Sequence, residues 1–166
     1  MRVPIRKPGQ YTHAKPDRNV TAEKLQEFKQ ELRKLVRVVR PPAIAEVKRL
    51  ADLGDFSENA EYQIAKGRLR GINARILELE GAIKSAIVIR LGSATGRIRI
   101  GSRVTVRMDG EQKTYRLLGS AESDPGKGVI SHASPIGMAL VGKKAGDMFT
   151  VTLANRQVQC TVLSVT

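Results

Sequence analysis

The sequence predicts mixed α and β structure, an amino-terminal antiparallel two-helix coiled-coil hairpin followed by a small α+β domain. Apolar residues repeat at heptad spacing on both sides of one short turn at residues 54–59. Beyond residue 86 the helical period stops, and glycines separate short runs rich in Val, Ile and Arg. With 166 residues, of which 41% are hydrophobic and 27% charged, the chain can bury a substantial core.

Residues 1–20 are predicted to form a flexible basic arm. They contain Pro4, Pro8 and Pro16 and show no periodic apolar pattern. A disordered tail is the simple interpretation, because chain termini are commonly poorly ordered. The alternative is an electrostatic contact with RNA or with a partner protein.

Residues 21–86 are predicted to form the hairpin, with Thr21 as the N-cap of its first helix. Spacings of three and four between apolar residues indicate a coiled-coil seam. In the first helix the seam comprises Leu25, Phe28, Leu32, Leu35, Val39, Ile44, Val47 and Leu50. In the second helix it comprises Tyr62, Ala65, Leu69, Ile72, Ile76, Leu79 and Ile83. Pro41-Pro42 should cause a kink or a short break, because proline lacks a backbone donor and crowds the preceding turn.

The turn between the two helices carries two carboxylates, Asp55 and Glu58. Gly54 can end the first helix, and Asp55 or Ser57 can cap the second. The spacing from Asp55 to Glu58 also imitates a capping box, so a structural role explains the local sequence. A chemical role is the alternative, and it depends on the surrounding residues.

Those surroundings combine an acidic cluster with a basic one. No Lys or Arg interrupts the acidic cluster, which consists of Asp52, Asp55, Glu58 and Glu61. The basic cluster follows it in the second helix and consists of Lys66, Arg68, Arg70 and Arg75. Such a basic run either forms a solvated face or binds phosphates.

Residues 87–166 are predicted to form a compact, mostly antiparallel α+β domain. Asp109-Gly110 is a favourable hairpin turn, and Ser134 with Pro135 can start a short helix that Gly142 ends. The predicted strands cover residues 103–108, 113–118, 129–133, 148–153 and 158–165. His132 is placed in a strand, and Cys160 is expected to be buried in the closing strand.

Charge and composition restrict the classes of function. The net charge of +13, from 29 Lys plus Arg against 16 Asp plus Glu, favours polyanionic partners. Aromatic residues make up only 4%, which argues against recognition of single strands through stacked rings. There is no phosphate-binding glycine loop, no His pair at metal spacing and only one Cys, so a self-contained active site is not expected. The absence of a signal core or a long apolar run predicts a cytoplasmic protein.

The segment Gly54-Asp55-Phe56-Ser57-Glu58-Asn59-Ala60-Glu61-Tyr62 resembles the hairpin-tip signature of the bacterial GreA/GreB family of transcript cleavage factors. The likeness continues upstream through Arg40-Pro41. Downstream it includes Ile130-Ser131, Ser134-Pro135-Ile136, Leu140-Val141-Gly142-Lys143-Lys144 and Gly146-Asp147. The resemblance implies that the carboxy-terminal domain, residues 87–166, has an FKBP-like fold and docks on RNA polymerase.

The resemblance also implies a function for the hairpin. The hairpin would enter the secondary channel of a backtracked RNA polymerase and stimulate the polymerase's own Mg²⁺-dependent cleavage of the nascent RNA. Asp55 and Glu58 would be the catalytic carboxylates and would share a Mg²⁺ ion with the polymerase, binding it only in the complex. Lys66, Arg68 and Arg70 would lie near the 3′ end of the RNA. The protein itself would be neither an enzyme nor the holder of a cofactor, and it would be a monomer.

Residues Ser134, Pro135, Ile136, Gly137 and Met138 are the polymerase-binding residues that the resemblance implies. Gly137-Met138 replaces the Ala-Arg that is usual in the family. The basic cluster resembles GreB, whereas residues 134–142 resemble GreA, so the subtype is left open. The arm is longer than is typical for the family.

Three other functions are compatible with parts of the sequence. One is a non-cleaving Gre-like protein that occupies the polymerase channel and inhibits elongation. Another is prolyl isomerase activity, although residues 87–166 offer only Tyr115 and Phe149 as pocket aromatics. Generic RNA binding is the third.

Overall fold

The computed structural model describes residues 17–53, 60–92, 96–153 and 156–166. Within these ranges the chain forms a long helical hairpin and a five-stranded sheet that carries one short helix. This architecture confirms the predicted fold class, a coiled-coil hairpin followed by a small FKBP-like α+β domain. The turn at residues 54–59 and the first sixteen residues, including His13, lie outside the described residues. Among the helices that are described, none combines the length and the apolar character needed to cross a bilayer.

The base of the hairpin is closed by two short parallel strands. Strand β1 (Asn19–Val20) pairs with β2 (Ile87–Val88), which follows the second long helix directly. Val20 is buried. The end of the predicted arm was therefore placed too late, because Asn19 and Val20 already belong to the folded structure.

Three α-helices build the hairpin, namely α1 (Ala22–Lys34), α2 (Arg40–Ala51) and α3 (Ala60–Ser85). Thr21 caps α1 as predicted, since its hydroxyl oxygen accepts a hydrogen bond from the backbone N–H of Lys24 at 3.1 Å. Helix α3 packs against both α1 and α2. Since β1 and β2 meet at the base, the two arms of the hairpin are antiparallel.

A π-helical turn at Leu35–Val39 connects α1 to α2. In it the backbone N–H of Arg40 donates to the carbonyl oxygen of Leu35, five residues earlier. Pro41 and Pro42 follow directly and lack the donors that a regular α-helix would need there. The predicted interruption is thus a change of helix type just before the prolines, and the chain remains helical through them.

The seam of the hairpin follows the predicted pattern with one exception. Leu50, Ile76 and Leu79 are buried, and the remaining seam residues are half-buried. Ile44 was wrongly assigned to the seam, because its side chain is exposed while Ala43 is half-buried. The π turn explains the shift, since it takes up one residue more than a regular turn and changes which residues face α3.

The second part of the chain is a sheet with the strand order β5-β4-β3-β7-β6. Its elements are β3 (Arg103–Met108), β4 (Glu111–Leu118), β5 (Val129–Ser131), α4 (Pro135–Leu140), β6 (Met148–Leu153) and β7 (Arg156–Val165). Strands β4 and β5 pair in parallel, and all other neighbours in this sheet pair antiparallel. The predicted turn between β3 and β4 is confirmed, with φ of 51° at Asp109 and 82° at Gly110.

One face of this sheet forms the main core. Val104 and Val106 of β3 are fully buried there together with Leu117 of β4 and Leu140 of α4. Cys160 lies in the same cluster as predicted, and burial raises the pKa of its thiol. The opposite face, to which Arg103, Thr105 and Arg107 of β3 point, is called the open face below.

Of the two predicted boundaries near α4, the one at His132 differs from the structure. Strand β5 ends at Ser131, so His132 lies in the following turn and not in a strand. The Ser131 carbonyl oxygen accepts hydrogen bonds from the backbone N–H and the hydroxyl of Ser134, which turns the chain into α4. Helix α4 ends at Leu140 with Val141 as its C-cap, and Gly142 follows with φ of 83°, so the predicted role of Gly142 in ending the helix is confirmed.

Candidate functional site

The predicted functional end of the hairpin lies between the last residue of α2 and the first residue of α3. Asp55 and Glu58 fall outside the described residues, so their role as catalytic and metal-binding carboxylates stays a prediction. The flanks are described, and Asp52 and Glu61 are both exposed. Two carboxylates that flank the turn on either side therefore face solvent.

Carboxylate oxygens exposed at the end of a rod are ligands suited to Mg²⁺, which commonly takes one or two carboxylates and completes its shell with water and phosphate oxygens. In the described part of the chain, no group of three or more His, Cys, Asp or Glu side chains is arranged to hold a metal ion. The structure therefore shows exposed carboxylates of Asp52 and Glu61 beside residues 54–59, and a magnesium role for Asp55 and Glu58 stays a prediction.

The acidic end is bordered by one well-fixed cation on α2. Arg49 makes two hydrogen bonds with the carboxylate of Glu46, at 2.9 and 3.1 Å. The hydrogen-bonded Glu46 carboxylate raises the pKa of Arg49, and the charge of Glu61 adds to the effect. Glu61 at the start of α3 therefore lies near enough to Arg49 to sense its charge across the hairpin.

Helix geometry divides the predicted basic patch into two sides. With about 100° of rotation per residue, Lys66 and Arg70 share one side of α3, and Arg68 lies roughly on the opposite side. All three side chains are exposed. The Lys66 ammonium lies 5.7 Å from the centroid of the Tyr62 ring, so a cation–π contact orients it.

Arg68 borders a groove between α2 and α3. The groove has a volume of about 650 Å³ and is also lined by the charged residues Glu46, Arg49 and Glu61. Arg68 thus shares this groove with the carboxylates of Glu46 and Glu61. The structure brings Lys66 and Arg70 together and separates Arg68 from them.

Arg75, the fourth residue of the basic cluster, has a structural partner. Its guanidinium hydrogen-bonds both oxygens of Glu31 in α1, at 2.9 and 3.1 Å, and also bonds Glu78 at 2.8 Å. These hydrogen bonds raise the pKa of Arg75, and the bond from Arg75 lowers the pKa of Glu31. Arg75 therefore links the two arms of the hairpin and is not available for phosphate.

In the sheet domain, the predicted polymerase-binding segment is organised by Ser134. Its hydroxyl donates to the carbonyl oxygen of Ser131 at 2.7 Å and accepts from the backbone N–H of Gly137 at 3.1 Å. The cap confirms the predicted start of α4 and fixes the direction in which the helix leaves the sheet.

The other residues of that segment differ in accessibility. Ile136 packs against the main core and Gly137 is buried. A side chain at position 137 would bring a Cβ atom to 2.0 Å from the Ser131 carbonyl oxygen, so glycine allows the close approach of α4 to β5. Pro135 and Met138 are exposed, and Met138 presents 63% of its surface. These two side chains are the ones that a docking partner can reach.

The junction between the hairpin and the sheet domain was not predicted. Glu122 accepts two hydrogen bonds from Thr21, one from its backbone N–H at 2.8 Å and one from its hydroxyl at 2.6 Å. These bonds span 101 residues of sequence, so no local pattern could reveal them. They hold the start of α1 against the turn that follows β4.

Asp17 forms the second half of this junction. Its carboxylate accepts hydrogen bonds from the backbone N–H groups of Ser120, at 2.6 Å, and Asn19, at 3.0 Å. It also lies 3.5 Å from Nδ1 of His132. Burial opposes ionisation, yet the hydrogen bonds outweigh it and lower the pKa of Asp17. His132 thus belongs to a structural contact.

Sequence comparison places both parts of the chain in one family. The family model described as "Transcription elongation factor, N-terminal" matches residues 19–88, and the one described as "Transcription elongation factor, GreA/GreB, C-term" matches residues 93–166. Transcription elongation factor GreA of Mesoplasma florum is 43% identical over 135 residues, which cover 80% of this chain and 86% of that protein.

Two further matches cover most of the chain. GreA of Bacillus cereus is 34% identical over 149 residues, covering 88% of this chain and 94% of that protein. The solved structure of GreA factor homolog 1 (Gfh1) of Thermus thermophilus aligns with a TM-score of 0.40 at 24% identity, covering 89% of this chain and 97% of that chain. From the two family models and these GreA relatives it follows that the chain belongs to the GreA/GreB family of transcription elongation factors.

Proposed function

We propose that the protein is a transcript cleavage factor. It binds RNA polymerase, inserts the tip of its hairpin into the secondary channel and stimulates the polymerase's own cleavage of backtracked nascent RNA. The proposal is carried by the signature at residues 54–62, which occupies the turn between α2 and α3 in a chain of this family. In this proposal the protein contributes residues to the active site of the polymerase and acts as an activator of that enzyme.

The length of the hairpin would place its carboxylates far from the sheet domain. Helix α3 has 26 residues, which correspond to about 39 Å at 1.5 Å per residue. The first arm is helical from Ala22 to Ala51 and α3 packs against it, so an acidic segment that joins α2 to α3 would be presented at the end of a narrow rod. A narrow rod with carboxylates at its tip can complete a site located inside another protein.

Asp55 and Glu58 are the carboxylates assigned to that site. Their oxygens would hold a Mg²⁺ ion together with ligands of the polymerase and of the RNA, and the ion would lower the pKa of a bound water and stabilise charge on the phosphate. Two carboxylates alone form a weak magnesium site, so binding of the metal would depend on formation of the complex. The capping positions of these residues would fix the direction in which the carboxylates point.

Lys66 and Arg70 are assigned to the RNA. They lie on one side of α3, about 9 and 15 Å along the helix axis from its first residue. Neither side chain makes an ion pair with a described residue, so both charges are available to phosphates near the extruded 3′ end. Arg68 faces the groove with Glu46 and Glu61 and contributes less.

The sheet domain is assigned to docking on the outside of the polymerase. Pro135 and Met138 are exposed beside the capped start of α4, where a partner surface can contact them. The hydrogen bonds between Thr21 and Glu122 would hold the base of the hairpin in a fixed position relative to the docked sheet domain.

The proposal is tested by adding the protein to a stalled, backtracked elongation complex with Mg²⁺ and measuring the rate at which the RNA is shortened and can be extended again. The double variant Asp55→Asn with Glu58→Gln should slow cleavage by at least about 100-fold, because metal-ion catalysis contributes several kcal/mol. The matched control, Asp52→Asn with Glu61→Gln, removes two flanking carboxylates and should cleave within about threefold of wild type.

The two double variants distinguish loss of the metal-binding carboxylates from loss of total charge, because each variant removes two negative charges. Inhibition of elongation without any cleavage by the wild-type protein would contradict the proposal and favour a channel-blocking factor. Equal cleavage by the double variant and by the wild type would also contradict it.

A second pair of variants tests the division of the basic patch. Lys66→Gln with Arg70→Gln should slow cleavage more than Arg68→Gln with Arg33→Gln, which removes the same charge from other sides of the hairpin. The difference should shrink as salt is raised, because contacts to phosphates are screened. If Arg68→Gln alone slows cleavage as much as the first pair, the assignment of Lys66 and Arg70 fails.

A further inference from the structure

The open face of the sheet is strongly basic and is not explained by the function proposed above. It carries Arg103 and Arg107 on β3 and Arg116 on β4. Arg103 lies directly opposite Arg116 in the β3–β4 ladder. The remaining residues of this face are mainly hydroxyl and amide side chains: Thr105, Gln112, Thr114, Thr150, Thr152, Gln157, Gln159 and Thr161.

The guanidinium groups of the three arginines are free to bind an external anion. None of their guanidinium groups makes an ion pair or a hydrogen bond within the part of the chain that the structure describes. Two arginines placed side by side across a ladder repel each other, and like charges in this position destabilise a sheet. An external anion would relieve that repulsion.

Three acidic side chains around strands β3 and β4 are paired with cations other than these arginines. Asp109, in the turn between β3 and β4, pairs with Arg156 at the start of β7. Glu111 pairs with Lys113, on the other side of β4. Asp124 is held by Lys127 at 3.1 Å, and a hydrogen bond from Lys127 lowers the pKa of Asp124. Arg103, Arg107 and Arg116 therefore have no carboxylate partner among the described residues.

A groove at the edge of the face is bordered by two of the three arginines. It has a volume of about 320 Å³ and is lined by Arg103, Thr114, Arg116, Lys127, Gly128 and Val129. The Thr114 hydroxyl lies 3.1 Å from that of Thr105, so two hydroxyl groups stand beside the arginines. Guanidinium and hydroxyl groups are the usual donors to phosphate oxygens.

We propose that the open face binds the phosphate backbone of double-stranded DNA without sequence preference. Arg103 and Arg107 are about 13 Å apart along β3, at 3.3 to 3.4 Å per residue. Because each strand of a duplex carries one phosphate per roughly 3.4 Å of axis, this distance spans about four phosphates. The duplex present where a transcription elongation factor acts is DNA. The inference rests on the charges of this face and does not depend on Asp55, Glu58 or transcript cleavage.

The composition of the face favours duplex DNA over the two alternatives. Single strands are bound by stacking of bases on aromatic rings, and this face has none among its described residues. An acidic protein partner would need apolar anchors at the centre of its interface. The exposed apolar residue of this face, Met148, lies on the edge strand β6.

The test measures binding of a labelled duplex of about 20 base pairs by fluorescence anisotropy between about 50 and 200 mM salt. The variant Arg103→Gln, Arg107→Gln, Arg116→Gln should weaken binding at the lowest salt by about tenfold or more. It should also reduce the slope of log K against log salt by about 2.7, that is about 0.9 for each lost contact. Replacing the same three residues with Lys keeps the charges and should preserve most of the slope.

The matched control removes three exposed cations from the hairpin, as Arg33→Gln, Lys34→Gln, Arg37→Gln. It should change the slope by less than about 1. Equal weakening in the control and in the face variant would overturn the assignment, since total charge alone would then explain binding. Tighter binding of a single strand than of the duplex, or displacement of the duplex by polyglutamate at equal charge, would also overturn it. Far-UV circular dichroism of each variant verifies that the fold is kept.

Discussion

The hairpin and the sheet domain differ in how deeply they bury their apolar side chains. In the described hairpin, most seam residues stay half-buried and full burial is confined to Leu50, Ile76 and Leu79. In the sheet domain a continuous core includes Val104, Val106 and other residues at 0–1% exposure. Two helices share only one seam, whereas a sheet covered by a helix encloses its core.

The shallow burial in the hairpin agrees with the function proposed for it. The proposed function requires a thin rod that can enter a narrow channel, and a thin rod cannot bury much surface. The hairpin replaces part of the missing core with contacts between its arms, such as Arg75 with Glu31, and with its anchorage on the sheet domain. The sheet domain supplies the stable base.

The largest expected effect tests the contrast in burial directly. Leu117→Ala in the sheet core should lower the free energy of unfolding by about 3–5 kcal/mol, because Leu117 is fully buried and a cavity remains. Leu69→Ala in the half-buried seam should cost about 1–2 kcal/mol, since neighbouring side chains can relax around it. Urea unfolding followed by circular dichroism and tyrosine fluorescence measures both values. Equal losses would show that the seam is packed as tightly as the core.

The next effect concerns the anchorage. A Cβ at position 119 would lie 1.8 Å from the carbonyl oxygen of Asn19, so Gly119→Ala must push the hairpin base away from the sheet domain. The expected loss is about 1–3 kcal/mol, with the helical and sheet signals separating in thermal unfolding. Gly126→Ala is the control, because its Cβ would meet only the Asp124 carboxylate oxygen, at 3.4 Å. A single transition at the wild-type temperature for Gly119→Ala would contradict the importance of the junction.

A smaller effect depends on pH. Hydrogen bonds hold the pKa of Asp17 below its usual value of 3.8. A lowered folded-state pKa means that the stabilisation is present above pH 3.8 and is lost as the pH falls through the lowered value. Asp17→Asn should therefore cost about 1 kcal/mol at neutral pH. The difference from wild type should narrow in acid, as measured by thermal unfolding at several pH values. A constant difference down to the lowest pH would exclude ionised Asp17 as the cause.

The smallest effect belongs to the link between the arms. Arg75 and Glu31 are both partly exposed, so their coupling energy in a double-mutant cycle with Arg75→Gln and Glu31→Gln should be about 0.5 kcal/mol and should fall with salt. A coupling of several kcal/mol would mean that the hairpin depends on this pair for much of its stability. Arg49 and Glu46, which lie within α2, provide a comparison pair that joins no arms.

Sequence patterns predicted what depends on periodicity and on local chemistry. The heptad seam, the Thr21 and Ser134 caps and the turn at Asp109 follow from residues within a few positions of one another. The same logic predicted the acidic turn as the candidate site, which lies within residues 19–88 that match the N-terminal family model.

Contacts between distant residues could not be predicted in this way. Nothing in the sequence around Glu122 distinguishes it from other acidic loop residues. Its contact with Thr21 forms only when the chain is folded. The separation of Arg68 from Lys66 could have been found from the helical period, since residues two apart lie on opposite sides of a helix. Ile44 was misplaced because heptad counting assumes regular turns, and the π turn at Leu35–Val39 breaks that assumption.

That π turn changes the rotation of α2 about the helix axis relative to α1. By closing a hydrogen bond over five residues, it rotates everything beyond it by about 100° relative to an uninterrupted α-helix, and so chooses which stripe of α2 meets α3. Deleting one residue between Leu35 and Val39 would restore regular geometry and turn Val47 and Leu50 away from the partner helix. The orientation of α2 about its own axis thus depends on one extra residue in the helical turn that precedes it.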